Sequence, residues 1–171
     1  MEESEQWLTK EVQDRHWSWL GRKKMIQTLI EKYIDLSRRL LIADAGSGFG
    51  SNIDLLLQYG DVISLEPFAG AQDFIREKWG VVKALAWRCP EKIGLQFDLI
   101  LMSELLEHIP DDRGAVAWIE EHLKDGGYAL ITAPAFNALW TQMDDVVHHH
   151  RRYDKQSLFA LFAERFEIIQ F

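Results

Sequence analysis

Disulfides, membrane-spanning segments and an excess of positive charge are all missing from this sequence. A single cysteine, Cys89, stands among 171 residues, which excludes an intramolecular disulfide and is typical of a reducing compartment. No hydrophobic run is long enough to span a bilayer and no signal peptide leads the chain, so we expect no membrane span and a cytoplasmic location. Acidic residues outnumber basic ones by 27 to 19, and the net charge of −8 argues against a nucleic-acid partner.

The remaining composition is that of an ordinary folded domain. Hydrophobic residues make up 47% of the chain and charged residues 27%, which at this length predicts one compact domain. Within it we distinguish an N-terminal helical cap segment, residues 1–39, from a ligand-binding domain, residues 40–171. Three tryptophans, Trp7, Trp17 and Trp19, fall in the first twenty positions. They either pack a helix on the core or form a lid that faces the substrate.

An apolar run followed by three glycines marks the clearest candidate ligand site. Residues 40–44 are typical of a buried parallel strand ending at Asp44, and Gly46, Gly48 and Gly50 follow at every second position. A dinucleotide fingerprint would place its third glycine one residue later. The carboxylate of Asp44 would repel a pyrophosphate but attract an ammonium group. Spacing and charge therefore favour S-adenosylmethionine over NAD, and no catalytic Tyr-x-x-x-Lys pair supports a nicotinamide-dependent oxidoreductase.

Strands and helices alternate along the chain, which predicts an α/β fold. Alternation of this kind implies a doubly wound, mostly parallel sheet with helices on both faces. The predicted strands are residues 40–44, 61–66, 81–86, 97–103, 128–133 and 166–171. The predicted helices are residues 5–36 (broken or kinked near Gly21), 51–59, 68–78, 104–108, 111–123 and 155–163, with a turn at 124–127 and a long irregular segment at 134–153.

Four ordered motifs resemble those of the class I, Rossmann-like S-adenosylmethionine-dependent methyltransferases. Residues 44–50 match the acid-x-Gly-x-Gly-x-Gly motif, and Glu66 closes the second strand where that family places an acid. Residues 97–111 are similar to the family's fourth-strand segment, and residues 123–127 to its Leu-Lys-Pro-Gly-Gly turn, with aspartate replacing proline. The family's sheet usually has a sixth and a seventh strand. This chain ends within the predicted sixth, so the seventh is expected to be absent.

The resemblance implies a set of residues that contact S-adenosylmethionine and release S-adenosylhomocysteine as product. Glu66 would accept the ribose hydroxyls, the glycines would approach the methionine moiety, and Met102 and Ser103 would line the methyl-donor site. Trp87 would stack on adenine, although a core position is an equal alternative. The full predicted set is Asp44, Gly46, Ser47, Gly48, Gly50, Glu66, Pro67, Ala86, Trp87, Met102 and Ser103.

The loop after the fifth strand is the predicted acceptor side. Its His-Arg-Arg-Tyr segment resembles one in a branch of bacterial small-molecule methyltransferases, which also has an N-terminal element similar to residues 16–22. Histidine suits proton abstraction near neutral pH, and arginine suits an acidic substrate group. The predicted catalytic bases are His108, His148 and His149, and the predicted substrate-binding residues are Trp17, Arg22, Arg151, Arg152 and Tyr153.

Other interpretations of this loop stay open. It could be solvated, with Arg151 and Arg152 paired to Asp144, Asp145 or Asp154. A metal site at His148 and His150, completed by Asp144 or Asp145, is the less favoured alternative, because no catalytic metal-binding spacing is present, and we predict no metal. A capping or core-edge role competes with the base role of His108.

The functional prediction is a methyltransferase acting on an oxygen or nitrogen of a small molecule, such as a glycan, lipid or secondary-metabolite intermediate. The alternative is a methyltransferase-like regulatory or partner subunit that binds S-adenosylmethionine without its own catalysis. An unpaired apolar strand at residues 166–171 would pair readily with another chain, so we also expect a homodimer through this C-terminal edge.

Overall fold

The computed structural model describes residues 16–171, so residues 1–15 of the predicted cap segment, with Trp7, lie outside the described residues. These residues form five strands, six helices and two 3-10 turns, each type numbered in the order of the chain. The strands are β1 Leu40–Ala45, β2 Gly60–Leu65, β3 Lys83–Leu85, β4 Phe97–Ser103 and β5 Leu123–Thr132. The helices are α1 Trp17–Tyr33, α2 Ile53–Leu56, α3 Ala69–Lys78, α4 Asp112–His122, α5 Gln142–Val146 and α6 Lys155–Phe162, with 3-10 turns at Leu106–His108 and Asn137–Leu139. Within residues 16–171 no helix is long and apolar enough to cross a membrane.

The five strands form one parallel sheet in the order β3-β2-β1-β4-β5. The predicted α/β, Rossmann-like fold is thus confirmed. Strand β4 is buried along almost its whole length, as expected for a parallel strand covered on both faces. The chain order reverses between β1 and β4, and ligands of such folds bind beyond the carboxyl ends of the strands at this reversal. Asp44 lies there, in register with Ser64 of β2 and Leu101 of β4.

Two apolar clusters pack on the two faces of the sheet. One contains Ile42, Leu99 and Leu101 together with Ile26 and Ile30 of α1. Helix α1 therefore shares a core with the sheet. The other cluster contains Phe97, Ile100 and Met102 of β4 and is covered by Trp118 and Ile119 of α4. The sheet is held rigid from both sides, so its carboxyl edge can position the site.

Several predicted elements differ from the structure. Helix α1 continues through Gly21 without a break, because the burial of Ile26 and Ile30 fixes the helix whatever the local preference of glycine. Strand β5 begins at Leu123, and the predicted turn at 124–127 is an irregularity inside it: Phe97 pairs with Leu123, but Leu99 pairs with Tyr128. Helix α2 and strand β3 are shorter than predicted.

The predicted sixth strand is wrong, because residues 166–171 form no strand. Phe166 and Ile168 instead pack against the apolar cluster that contains Trp118 and Ile119 of α4. The expected homodimer through a C-terminal edge strand therefore loses its structural basis, since the strand that was to pair is not formed.

Candidate active site

The glycine turn after β1 has a backbone that only glycine adopts without strain. Gly46, Gly48 and Gly50 have φ angles of 70°, 52° and 79°. A Cβ atom on Gly46 would lie 2.7 Å from Cδ1 of Leu105, and one on Gly50 would lie 2.6 Å from Cδ1 of Ile53. The turn is therefore packed tightly between the segment after β4 and the start of α2.

Asp44 is the penultimate residue of β1, just before this turn, and is 1% exposed. Its Oδ2 atom has no hydrogen-bond partner among the described residues. Burial and the nearby Glu66 carboxylate raise the pKa of Asp44 to about 7. A buried carboxylate oxygen without a donor is costly, and a cationic or hydrogen-bond-donating ligand group would offset that cost.

Glu66 follows β2 and faces the same turn. Its Oε2 accepts a hydrogen bond from the amide of Gly48 at 2.9 Å, and its Oε1 accepts one from the amide of Phe68 at 3.0 Å. Burial raises the pKa of Glu66, and these two amide donors lower it. The hydroxyl groups of Ser47 and Ser64, 2.7 Å apart, further tie the turn to β2. Asp44 of β1 and Glu66 after the neighbouring β2 are thus close enough for the Glu66 carboxylate to raise the pKa of Asp44.

Helix α1 lies over the carboxyl end of β4. Arg22 of this helix pairs with Glu104, with 3.1 Å between Nη2 and Oε2, and its Nη1 atom is buried with no hydrogen-bond partner among the described residues. Glu104 in turn accepts a hydrogen bond from the hydroxyl of Thr132. A pocket opens between helix α1, the start of α2 and the end of β4, and it is lined by Trp19, Leu20, Arg22, Lys23, Ser51, Asn52 and Ser103.

The loop after β5 is organised around the carboxylate of Asp144, which is 2% exposed. Arg152 donates to it from two nitrogens, Nε at 2.7 Å and Nη2 at 2.8 Å. Thr141 donates its amide, and His149 is bonded through Nδ1 at 2.8 Å. Chiefly because of Arg152, the pKa of Asp144 lies well below its usual range, so the carboxylate is ionised. A charged, buried centre therefore fixes the position of the His149 ring.

The other side of His149 faces a second buried acid. Its Nε2 lies 3.8 Å from Oε1 of Glu107, and Nε2 of His108 lies 4.0 Å from the same oxygen. Glu107 is completely buried, and neither of its carboxylate oxygens has a hydrogen-bond partner on another described residue. Burial raises the pKa of Glu107 to about 8 and lowers the pKa of His108 to about 4.

The structure places the predicted cofactor residues at the edge described above, with exceptions on the adenine side. Trp87 is 3% exposed, packs on Trp118 and donates from its indole nitrogen to the carbonyl of Glu91. Its predicted stacking on adenine is not supported, because both the ring and its polar atom are occupied in the core. Pro67 and Ala86 are exposed near the ends of β2 and β3. Met102 is fully buried in the apolar cluster on the α4 side of the sheet.

The structure does not bring the predicted substrate-binding residues together at one place. Arg22 lines the pocket, and Arg152 is bound to Asp144, as one of the interpretations of the loop anticipated. Arg151 and Tyr153 are bound instead to Asp112 at the start of α4, so they anchor the loop and their polar ends are not available to a substrate. Trp17 is 78% exposed at the start of α1.

The predicted bases separate as well. His148 is exposed and has a φ angle of 59°, whereas His108 and His149 face each other with ring centroids 4.6 Å apart. Sequence reasoning missed Glu104 and Glu107 as members of this site. These two acids lie in an otherwise apolar segment directly after a buried strand. Charged residues in such a position could have indicated a functional site.

A parallel sheet of this order, with a glycine turn and one acid at its reversal and a second acid after the neighbouring strand, defines a Rossmann-like nucleotide-binding protein of the class I methyltransferase type. A family profile described as a methyltransferase domain matches residues 19–169, and the chain belongs to that family. No curated protein matches the chain.

Solved structures share the fold at low sequence identity. The N-methyltransferase NodS from Bradyrhizobium japonicum WM9, solved with S-adenosyl-L-homocysteine, has a TM-score of 0.70 at 14% identity over 88% of this chain and 76% of its own. CalS10, an amino pentose methyltransferase from Micromonospora echinaspora, has a TM-score of 0.64 at 20% identity over 74% of this chain and 56% of its own. Coclaurine N-methyltransferase has a TM-score of 0.66 at 15% identity. The match covers 84% of this chain but only 48% of that enzyme.

Proposed function

We propose that this protein transfers a methyl group from S-adenosylmethionine to an oxygen or nitrogen atom of a small molecule. The observation that supports this most directly is the buried Asp44 carboxylate beside the glycine turn, whose Oδ2 receives no hydrogen bond from any residue of the described range 16–171. The α-ammonium group of S-adenosylmethionine has the charge and the donors that this oxygen requires. The NodS structure, which contains S-adenosyl-L-homocysteine, supports the same choice of cofactor.

In the proposed complex each part of the cofactor has its own partner. Asp44 binds the ammonium group, and the backbone of Gly46, Ser47 and Gly48 approaches the methionine chain. Glu66, whose Oε2 accepts the Gly48 amide at 2.9 Å, accepts the ribose hydroxyls in place of part of that contact. Ser103, at the end of β4 and on the wall of the pocket, lies on the methyl-donor side. The adenine has no assigned partner once Trp87 is placed in the core.

The acceptor is proposed to lie between α1 and the loop after β5. The buried Nη1 atom of Arg22 has no partner in the described part of the chain, so it can donate to a polar or acidic group of the acceptor. Methyl transfer is an in-line displacement: the acceptor atom forms a bond to the methyl carbon while the bond from that carbon to sulfur breaks. The enzyme's main task is therefore alignment of the three atoms. NodS and the coclaurine enzyme are N-methyltransferases and CalS10 is an amino pentose methyltransferase, which supports including amines in a screen of acceptors.

His149 is the best candidate for the base that takes the acceptor proton. The ionised Asp144 only accepts hydrogen bonds, so Nδ1 of His149 carries the proton and the lone pair of the neutral ring is on Nε2. His148 is exposed and lacks such a partner arrangement, so His148→Gln is the matched control for His149→Gln. We expect His149→Gln to lower kcat by about 100-fold or more.

Calorimetric titration with S-adenosyl-L-homocysteine tests the proposed cofactor site. We expect one site with micromolar affinity, weakened roughly tenfold to a hundredfold by Glu66→Ala, since one or two charge-assisted hydrogen bonds are lost. Asp61→Asn, an exposed acid on β2 far from the turn, serves as control, and NADH serves as the competing nucleotide. A folded protein that binds no nucleoside would contradict the proposal. A protein that binds it but methylates no acceptor would favour the regulatory-subunit alternative.

A further inference from the structure

Glu107, His108 and His149 bring together one carboxylate oxygen and two imidazole nitrogens, all within 4.8 Å of one another. The separations from Oε1 of Glu107 to the two Nε2 atoms, 3.8 Å and 4.0 Å, are too long for hydrogen bonds. Metal–ligand bonds of about 2.0–2.2 Å place adjacent atoms of a tetrahedral site about 3.4 Å apart. The two contacts to Glu107 are about half an ångström longer than this, and no separation among the three atoms exceeds it by more than about 1.4 Å.

The carboxyl group of Glu107 has neither a cation nor a hydrogen-bond donor beside its oxygens among the described residues. Its side chain is 0% exposed and neither oxygen has a partner on another described residue. The neighbouring acids are already neutralised, because Glu104 pairs with Arg22 and Asp144 pairs with Arg152. A buried carboxyl group without a cation is driven toward its protonated form, and a bound metal ion would take the place of that proton.

His149 is held in the way that protein ligands of metals are held. Its Nδ1 atom is bonded to the Asp144 carboxylate at 2.8 Å, which leaves the opposite nitrogen, Nε2, facing Glu107. A metal-binding histidine almost always donates its second nitrogen to a carboxylate, carbonyl or water, and this fixes both the tautomer and the ring orientation. Asp144 is fixed in turn by Arg152 and Thr141.

We propose that Glu107, His108 and His149 bind one divalent transition-metal cation of the zinc type. Two imidazoles and one carboxylate are a ligand set that suits zinc and disfavours magnesium, which prefers oxygen atoms. Further coordination positions would be filled by water or by an acceptor group. The site differs from the one weighed from the sequence, since His148 and His150 take no part.

The inference goes beyond the proposed methyl transfer, and metal binding does not depend on it. Both proposals use the lone pair on Nε2 of His149. A cation bound there would occupy the lone pair that proton transfer requires. Zinc is therefore expected to inhibit any methyl transfer that relies on His149 as base.

Zinc titration of the chelator-treated protein, without cofactor or acceptor, tests the site. We expect one zinc ion per chain by native mass spectrometry and calorimetry, and weakening of at least about 100-fold in each of Glu107→Gln, His108→Gln and His149→Gln. The matched control is the double variant His148→Gln/His150→Gln, which removes the neighbouring exposed histidines and should bind zinc as the wild type does. Magnesium should not compete.

The control also supplies the contradicting result. If zinc affinity is lost in the double variant and kept in His108→Gln and His149→Gln, the metal binds the exposed histidine run and the proposed site is wrong. Failure of all variants to affect zinc, or no zinc binding at all, would also overturn it. His108 and His149 side chains are 32% and 13% exposed, so their variants should fold even if Glu107→Gln does not. Cofactor binding is measured separately, so either proposal can fail without the other.

Discussion

Individual glycines at the turn after β1 combine an unusual backbone with close packing. Gly46→Ala would add a Cβ atom at a φ angle of 70° and 2.7 Å from a terminal carbon of Leu105. We expect it to lower the free energy of unfolding by about 1–3 kcal/mol and to weaken S-adenosyl-L-homocysteine binding. Urea denaturation and calorimetry measure the two effects.

Gly94→Ala is the matched control for that substitution. A Cβ atom on Gly94 meets nothing within 4 Å, and its φ angle is not in the left-handed region. We expect its stability to stay within about 0.5 kcal/mol of the wild type. Equal effects of the two substitutions would contradict a specific role of the glycine turn.

Site residues can be predicted from the sequence when they belong to one local motif. They are hard to predict when only the fold brings distant residues together. Asp44 and the glycines belong to one short segment, and the spacing to Glu66 follows from one strand-helix-strand unit. His149 and Glu107 are brought together by the path of a loop 42 residues further along, and no local pattern indicates that contact. Arg151 and Arg152 are adjacent in sequence but bind acids on different elements.

At the scale of elements, one buried acid ties together the amino ends of three strands. Asp98 of β4 accepts hydrogen bonds from Arg38, from the amide of Leu41 in β1 and from Lys124 in β5. The bond from Arg38 is the main reason that the pKa of Asp98 lies far below its usual range. This carboxylate therefore connects β1 and β5 to the strand between them.

Asp98→Asn should lower the free energy of unfolding by about 1–3 kcal/mol at pH 7, because bonds to a charged acceptor are lost. Since the pKa of Asp98 is lower in the folded than in the unfolded chain, its contribution is present above the unfolded value, near pH 4, and decreases as the pH falls through the folded value. The difference between variant and wild type should therefore shrink below about pH 4.

Asp73→Asn is the control, since Asp73 forms an exposed pair with Arg76 in α3. Exposed pairs contribute about 0–1 kcal/mol. Denaturant unfolding between pH 3 and pH 7 measures both variants. A difference for Asp98→Asn that stays constant across this range would mean that its charge does not stabilise the strands.

Element types were predictable, and the errors have a common physical origin. The buried strands β1, β2 and β4 are mostly apolar runs, which can be recognised from the local sequence alone. Gly21 suggested a break that tertiary packing of α1 overrides. The apolar residues 166–171 suggested a strand because apolar periodicity reports burial, and burial here is met by packing on the α4 side of the core.

At the scale of the whole molecule, the sheet places two acids of raised pKa at one point of its carboxyl edge. Asp44 and Glu66 come from neighbouring strands and repel each other when both are ionised. A ligand with an ammonium group and ribose hydroxyls would stabilise the doubly ionised pair. Cofactor binding should thus be coupled to proton release, and this coupling follows from the topology rather than from either residue alone.

Titration with S-adenosyl-L-homocysteine as a function of pH tests this account most directly. The pKa of Asp44 is raised to about 7, so below that pH the free protein holds a proton that binding must displace. Affinity should therefore rise with pH up to about pH 7, by as much as about tenfold per unit, with proton uptake by the buffer. Asp44→Asn should bind weakly and lose this dependence. Affinity that is independent of pH, or an Asp44→Asn variant that binds like the wild type, would contradict the assignment of this edge as the cofactor site.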